Sequence, residues 1–139
     1  MRFLLLPGLL ITGLASAQAV PAPLNGIWQL KDMKVFGKTE PNLPLTQLVI
    51  SGGQLGGNIG CGTYSGTIAA ANNQLKIRVM PLPPRPNERC LYALPGAFHG
   101  ALNASESYII SGDTQLLVLF SKTTQLTLKR IGYVTPVKP

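Results

Sequence analysis

The residues most able to do chemistry are two cysteines, Cys61 and Cys90, and one histidine, His99. Cys61 lies in the glycine-rich run GCGTYSG, residues 60–66. A thiol in such a run can be an activated nucleophile, a metal ligand or half of a disulfide. One histidine and two cysteines fall short of the usual zinc ligand set unless carboxylates contribute. The choice between a nucleophile and a disulfide depends on the compartment.

The amino terminus indicates export. Arg2 is followed by a largely apolar run over residues 3–14 and then by the small residues Ala15-Ser16-Ala17. This order is typical of a secretory signal peptide, and the run is too short to span a bilayer comfortably. No cysteine follows it as a lipid-attachment residue. We therefore expect cleavage after Ala17 and a mature periplasmic or secreted chain of 122 residues (139 − 17) without a transmembrane segment.

In an oxidising compartment the two cysteines most simply form one disulfide. Cys61 and Cys90 are 29 positions apart (90 − 61). On the chain-entropy model, closing such a loop stabilises a fold by about 3 to 4 kcal/mol. The sequence predicts this disulfide, with a reactive thiol or a metal ligand as the open alternatives.

The titratable residues do not form a pattern typical of an enzyme. His99 follows Phe98, which is expected to face the core, so an exposed and idle imidazole is predicted. No nucleophile–histidine–acid set, carboxylate pair, phosphate loop or His-Glu-x-x-His motif is present. We expect no catalytic residue, cofactor or metal. The five acidic residues are Asp32, Glu40, Glu88, Glu106 and Asp113.

The chain is basic, with a formal net charge of +7 that becomes +6 once Arg2 is removed. Basic chains favour anionic partners. The cations are scattered, no basic run is longer than two residues, and aromatic residues do not alternate with them. This argues against nucleic acid and leaves an anionic envelope surface or an unknown envelope protein as possible partners of an expected monomer.

Alternation with a period of two dominates the chain and predicts β-strands. Gln74 to Val79 alternates polar and apolar residues, and residues 126–129 repeat the pattern. Leu116 to Phe120 is continuously apolar, which predicts a strand buried on both faces. Short turn signals such as Asn72-Asn73 favour antiparallel hairpins. The expected fold is mainly β (α+β), an antiparallel, barrel-like curved sheet of about eight strands with one short helix.

Two segments differ from this pattern. Residues 80–89 contain four prolines and are predicted to be a long surface loop, with Arg85 and Arg89 as a possible contact surface. The only helix candidate begins at Pro95 and runs to Leu102, with Phe98 and Leu102 on one face.

Several of these residues together resemble the META/HslJ domain, a small bacterial envelope domain. The resemblance covers about residues 24–131, between a signal peptide over 1–17, a flexible lead-in over 18–23 and a tail over 132–139. Gly62 stands where the family usually has asparagine, and the lipid-modified cysteine of many relatives is absent. The matching residues, to which the resemblance gives structural roles, are Gly26, Trp28, Leu30, Gly57, Gly60, Cys61, Tyr64, Gly66 and Cys90.

The resemblance implies a β-rich domain with one helix, linked to envelope stress and tolerance of toxic compounds, and it brings no catalytic residues. A non-enzymatic accessory of envelope maintenance is therefore expected. One alternative is a carrier of small apolar ligands, in which Trp28, Tyr64, Phe98 and Tyr108 would line a cavity rather than fill a core. Another is an inhibitor or binder of an envelope protein; lysozyme, a basic target, would repel a basic inhibitor.

Overall fold

The computed structural model describes residues 20–41, 43–59, 62–81 and 94–134. Within these ranges no helix has the length and apolar character needed to cross a membrane. A short 3-10 turn, Ala22–Leu24, precedes the first strand. The strands are β1 Gly26–Val35, β2 Lys38–Thr39, β3 Thr46–Ser51, β4 Gln54–Ile59, β5 Gly62–Ala71, β6 Gln74–Pro81, β7 Ser107–Ile110, β8 Leu116–Phe120 and β9 Thr124–Gly132; the helix is α1, Leu94–Ala104.

The strands form a closed antiparallel barrel. Neighbours follow chain order from β3 to β9, and β1 pairs with both β3 and β9. The closing pair runs from Ile27 opposite Gly132 to Val35 opposite Thr124. β2 extends the hairpin from the end of β1. Closure pairs the edges of the eight barrel strands, except between β6 and β7, which share one residue pair, and so removes most of the usual site of uncontrolled strand pairing.

Alternating side chains of these strands fill one core. Trp28, Leu48, Ile50, Leu117 and Leu128 are almost completely buried. In β1 the inward positions are Trp28, Leu30 and then Met33, because the pairing with β9 shifts register between Leu30 and Asp32. A bulge of this kind moves every later side chain of the strand to the other face.

Helix α1 packs on the barrel where β6 and β7 separate. β6 pairs with β7 only at Gln74 and Ser107, and α1 contacts β6, β8 and β9. Phe98 and Leu102, one turn apart, are both fully buried in the core. The amide of Asn103 completes the contact: the Val79 backbone N–H donates to its Oδ1 at 2.8 Å, and its Nδ2 donates to the Val79 carbonyl at 3.2 Å.

The mainly β, barrel-like fold with one helix is confirmed, and the predicted strands over 74–79, 116–120 and 126–129 are present with small extensions. The helix runs two residues beyond Leu102, to Ala104. The prediction that Leu116–Phe120 is buried on both faces is wrong. Leu117 and Leu119 point into the core, whereas Leu116 on the outer face is 47% exposed.

Candidate functional site

One cluster of motif residues surrounds the side chain of Arg130. Its guanidinium lies 4.3 Å from the ring centre of Trp28 and 4.7 Å from that of Tyr133. A side chain on Gly26 would overlap the guanidinium, so the glycine makes room for it. The Gly26-x-Trp28 motif and the basic residue at the end of β9 therefore build a single cation–π contact.

Arg130 also joins three parts of the chain by hydrogen bonds. Its Nε donates to the carbonyl of Thr114 at 2.9 Å, its Nη1 to Asn25 at 2.8 Å and its Nη2 to Pro23 at 2.6 Å. The Trp28 Nε1 donates to Leu24 at 3.0 Å in the same region. These bonds fix the segment before β1 to the closed barrel. Leu30, the last residue of this motif, belongs to the core.

A second cluster is built around Tyr64. Its hydroxyl donates to the Gln47 carbonyl at 2.6 Å, reaching across β4 at Gly57, its direct pairing partner. A side chain on Gly57 would overlap that same carbonyl and press on the Tyr64 hydroxyl. Gly66 likewise lets β5 approach the Arg78 carbonyl in β6. Burial raises the pKa of the Tyr64 phenol, which stays a hydrogen-bond donor.

His99 is buried, so the prediction of an exposed imidazole is wrong. Only 7% of the residue is accessible, and its ring centre lies 5.3 Å from Tyr64 and 6.0 Å from Phe98. Helix α1 places both Phe98 and His99 against the barrel, a wider buried face than the sequence indicated. Among the described residues, no hydrogen-bond partner reaches its buried Nε2 atom. Desolvation lowers the pKa of His99.

We expect acid to destabilise this protein through His99. A base whose pKa is lowered by folding binds protons more tightly in the unfolded chain, so stability is complete above its ordinary pKa of 6.5 and falls as pH drops towards the folded-state pKa. Urea unfolding between about pH 7.5 and pH 5 measures the effect. The His99→Gln protein should lose most of this dependence; an unchanged pH profile in that protein would contradict the assignment.

Five predicted site residues lie outside the described residues: Gly60, Cys61, Arg85, Arg89 and Cys90. The disulfide and the contact loop therefore stay predictions. The motif residues that are described, from Gly26 to Gly66, all lie in the two clusters or in the core.

In the described ranges, no group of three or more histidine, cysteine, aspartate or glutamate side chains is close enough to hold a metal ion.

Asp113 sits in an exposed turn. The hydroxyl of Ser111 and the backbone N–H of Gln115 donate to its carboxylate at 2.5 and 3.0 Å. Together these hydrogen bonds lower the pKa of Asp113, and the bond from Ser111 has the largest effect. Asp113 therefore belongs to the structure of the turn between β7 and β8.

Two open depressions lie on the part of the barrel that the structure describes. One, of about 410 Å³, follows the outer edge of β6 from Lys76 to Met80, beside Asn103. The other, of about 190 Å³, lies between the turn after β1 and the turn after β8; its lining residues are Lys34, Gly37, Ser121, Lys122, Thr123, Thr124 and Gln125. Ammonium and hydroxyl groups of this kind suit an anionic ligand.

Sequence reasoning missed the roles of Arg130 and Asn103. Arg130 was one of many scattered cations, and only its place at the end of the last strand distinguished it. Asn103 lies near the end of α1, and its amide serves as a substitute strand partner for β6. Both roles depend on residues that lie far away in the chain.

Comparison with protein families gives a match to the META domain over residues 22–132, most of the chain. The chain belongs to the META domain family. In this chain, the glycine, tryptophan and tyrosine residues of the motif hold strands and chain segments together, as the two clusters show. A comparison with curated proteins gives no significant match.

Two solved structures are similar in fold to this chain. One is an NMR structure of a protein from Burkholderia xenovorans, 18% identical, with a TM-score of 0.62 over 77% of this chain and 82% of that chain. The other is a crystal structure of a DUF4847 family protein from Bacteroides vulgatus, 18% identical, with a TM-score of 0.59 over 88% of this chain and 100% of that chain. At this identity the likeness is one of fold.

Proposed function

We propose that this META-domain protein is a non-catalytic, secreted accessory of the cell envelope that acts by binding, in the maintenance of the envelope under stress. The observation that carries the proposal is the use of the described motif residues. Trp28, Gly57 and Tyr64 serve the packing of the barrel. Because these residues build the scaffold, we assign the function to the outer surface and its loops.

The contacts of the aromatic residues favour a packed interior over a carrier of apolar ligands. Trp28 and Tyr64 both use their polar atoms in hydrogen bonds to the backbone. The rings of Tyr64 and Phe98 meet edge to face with centres 5.5 Å apart, within one continuous core that also includes Tyr108. Such contacts bind the rings to one another and reduce the surface that they offer a ligand.

The proposal is tested in the native bacterium by deleting the gene and challenging the cells with compounds that damage the envelope. We expect greater sensitivity, and rescue by the complete chain. The matched control is residues 18–139 expressed behind a start methionine, which has the same domain but no export signal. Rescue by this leaderless chain would overturn the secreted role, and equal sensitivity of deleted and intact strains would overturn the envelope role.

A further inference from the structure

The turn between β1 and β2 exposes a phenylalanine that folding does not explain. Phe36 is 76% exposed. Its φ is +52°, in the left-handed region that disfavours a bulky side chain, and that of the next residue, Gly37, is +78°. Asparagine is the usual choice where a turn needs two positive φ angles. Phe36 therefore adds backbone strain and little packing, a combination that points to a role outside the fold.

Lysines flank this phenylalanine in the chain and line the depression beside the turn. We call residues 34–39 and 121–125 the lysine tip. The two turns are joined by the Phe36 N–H, which donates to the Thr123 carbonyl at 2.7 Å. The lysine tip contains Lys34, Lys38 and Lys122 and no acidic residue. Glu40 follows it along the chain, and Glu106 hydrogen-bonds through its N–H to Phe120 beside it. Within the tip itself the charge is +3.

The depression of about 190 Å³ lies at the same place, with Lys34, Lys122 and the hydroxyl-bearing Thr123 among its lining residues. An exposed ring beside such a depression matches the layers of a lipid surface, where phosphates lie next to the acyl boundary. An aromatic side chain enters that boundary while lysines remain at the phosphates.

We propose that the lysine tip binds an anionic phospholipid surface, with Phe36 inserted at the acyl boundary and the lysines on lipid phosphates. This inference rests on the proposed binding function and names its partner. The +3 charge supplies the electrostatic attraction to anionic lipid, and the exposed ring adds a hydrophobic contribution to the binding free energy. The protein is then a peripheral and reversible membrane binder, because one ring and three cations give a modest affinity.

The test is sedimentation of the purified mature chain with vesicles of phosphatidylglycerol and phosphatidylethanolamine, compared with phosphatidylcholine vesicles. We expect binding to the anionic vesicles that weakens with added salt. Phe36→Asn should weaken binding about tenfold, because the ring is lost. The Tm of the Phe36→Asn protein should rise, because asparagine tolerates the positive φ. A raised Tm would show that the barrel of this variant is intact. Lys122→Gln should weaken binding about fivefold.

Two matched controls make the test specific. Lys76→Gln removes the same charge on β6, which is four strands from β1 in either direction around the barrel. Ile109→Thr removes another exposed apolar side chain, on β7. Both should bind like the wild type. Suppose that Lys76→Gln and Lys122→Gln weaken vesicle binding equally and that Phe36→Asn does not weaken it. Binding would then depend on net charge alone, and the proposal would be overturned.

A final arm separates a lipid surface from a phosphate site. Inorganic phosphate or glycerophosphate should compete only weakly with the vesicles, because neither offers an acyl boundary for Phe36. Complete displacement by either compound, or no sedimentation with anionic vesicles, would overturn the lipid assignment. The gene-deletion test would be untouched by such a result, since another envelope partner would then account for any rescue.

Discussion

Replacing Arg130 by methionine should lower the free energy of unfolding by about 3 kcal/mol, a fall in Tm of roughly 10 to 15 °C. The change removes three hydrogen bonds to the carbonyls of Pro23, Asn25 and Thr114, together with the stacking on Trp28. Methionine fills much of the space but donates no hydrogen bond. Urea unfolding at neutral pH measures the loss.

The adjacent Lys129 provides the control. It is exposed on the outer face of β9, and Lys129→Met makes the same change of charge and side chain. We expect that variant to stay within about 0.5 kcal/mol of the wild type. Arg130→Lys keeps the charge but loses the planar fork, so its stability should lie between the two. Similar losses in Lys129→Met and Arg130→Met would show that the cluster contributes no more than an exposed cation.

The Gly57→Ala protein should be destabilised by about 3 kcal/mol or more, through two separate costs. Gly57 has a φ of +150°, a backbone conformation that alanine rarely adopts. Its new methyl group would also overlap the Gln47 carbonyl that accepts the Tyr64 hydrogen bond. The strands cannot separate to relieve this overlap without breaking the barrel ladder. Thermal unfolding followed by circular dichroism measures the effect.

Gly62→Ala is the matched control for this change. Among the described residues, the nearest atom to a methyl group there is the Ile59 carbonyl oxygen at 3.8 Å, an ordinary contact. That protein should unfold close to the wild-type temperature. If the two alanine variants had the same Tm, Gly57 would be an ordinary strand residue rather than the gap through which Tyr64 reaches β3.

The strands that could be predicted are those in which side chains alternate clearly. Residues 74–79 do so because one face meets the core and the other meets water, and the turn at Asn72-Asn73 has two positive φ angles, as its asparagines indicate. The alternation of apolar and polar residues is weaker in β4 and β5. Glycines and alanines occupy several of their positions, because neighbouring strands approach closely there. Gly56, Gly57 and Gly66 leave no apolar alternation to detect.

The candidate sites were harder to foresee because each joins residues from distant parts of the chain. Motif residues such as Trp28 and Tyr64 were recognised, but their partners Arg130 and Gln47 were not. The apolar run over β8 indicated burial on both faces, although only one face meets the core. Nothing local in the sequence distinguishes an outer face that meets solvent from one that a neighbouring layer covers.

Barrel closure also sets the order in which this chain can fold. Ile27 pairs with Gly132, a separation of 105 residues (132 − 27), and Arg130 binds carbonyls that precede β1. Pairings of such high contact order form late and slowly. A ribosome must complete β9 before the barrel can close. The late closing seam would therefore suit the export that we propose, because an unfinished barrel does not obstruct a translocation channel.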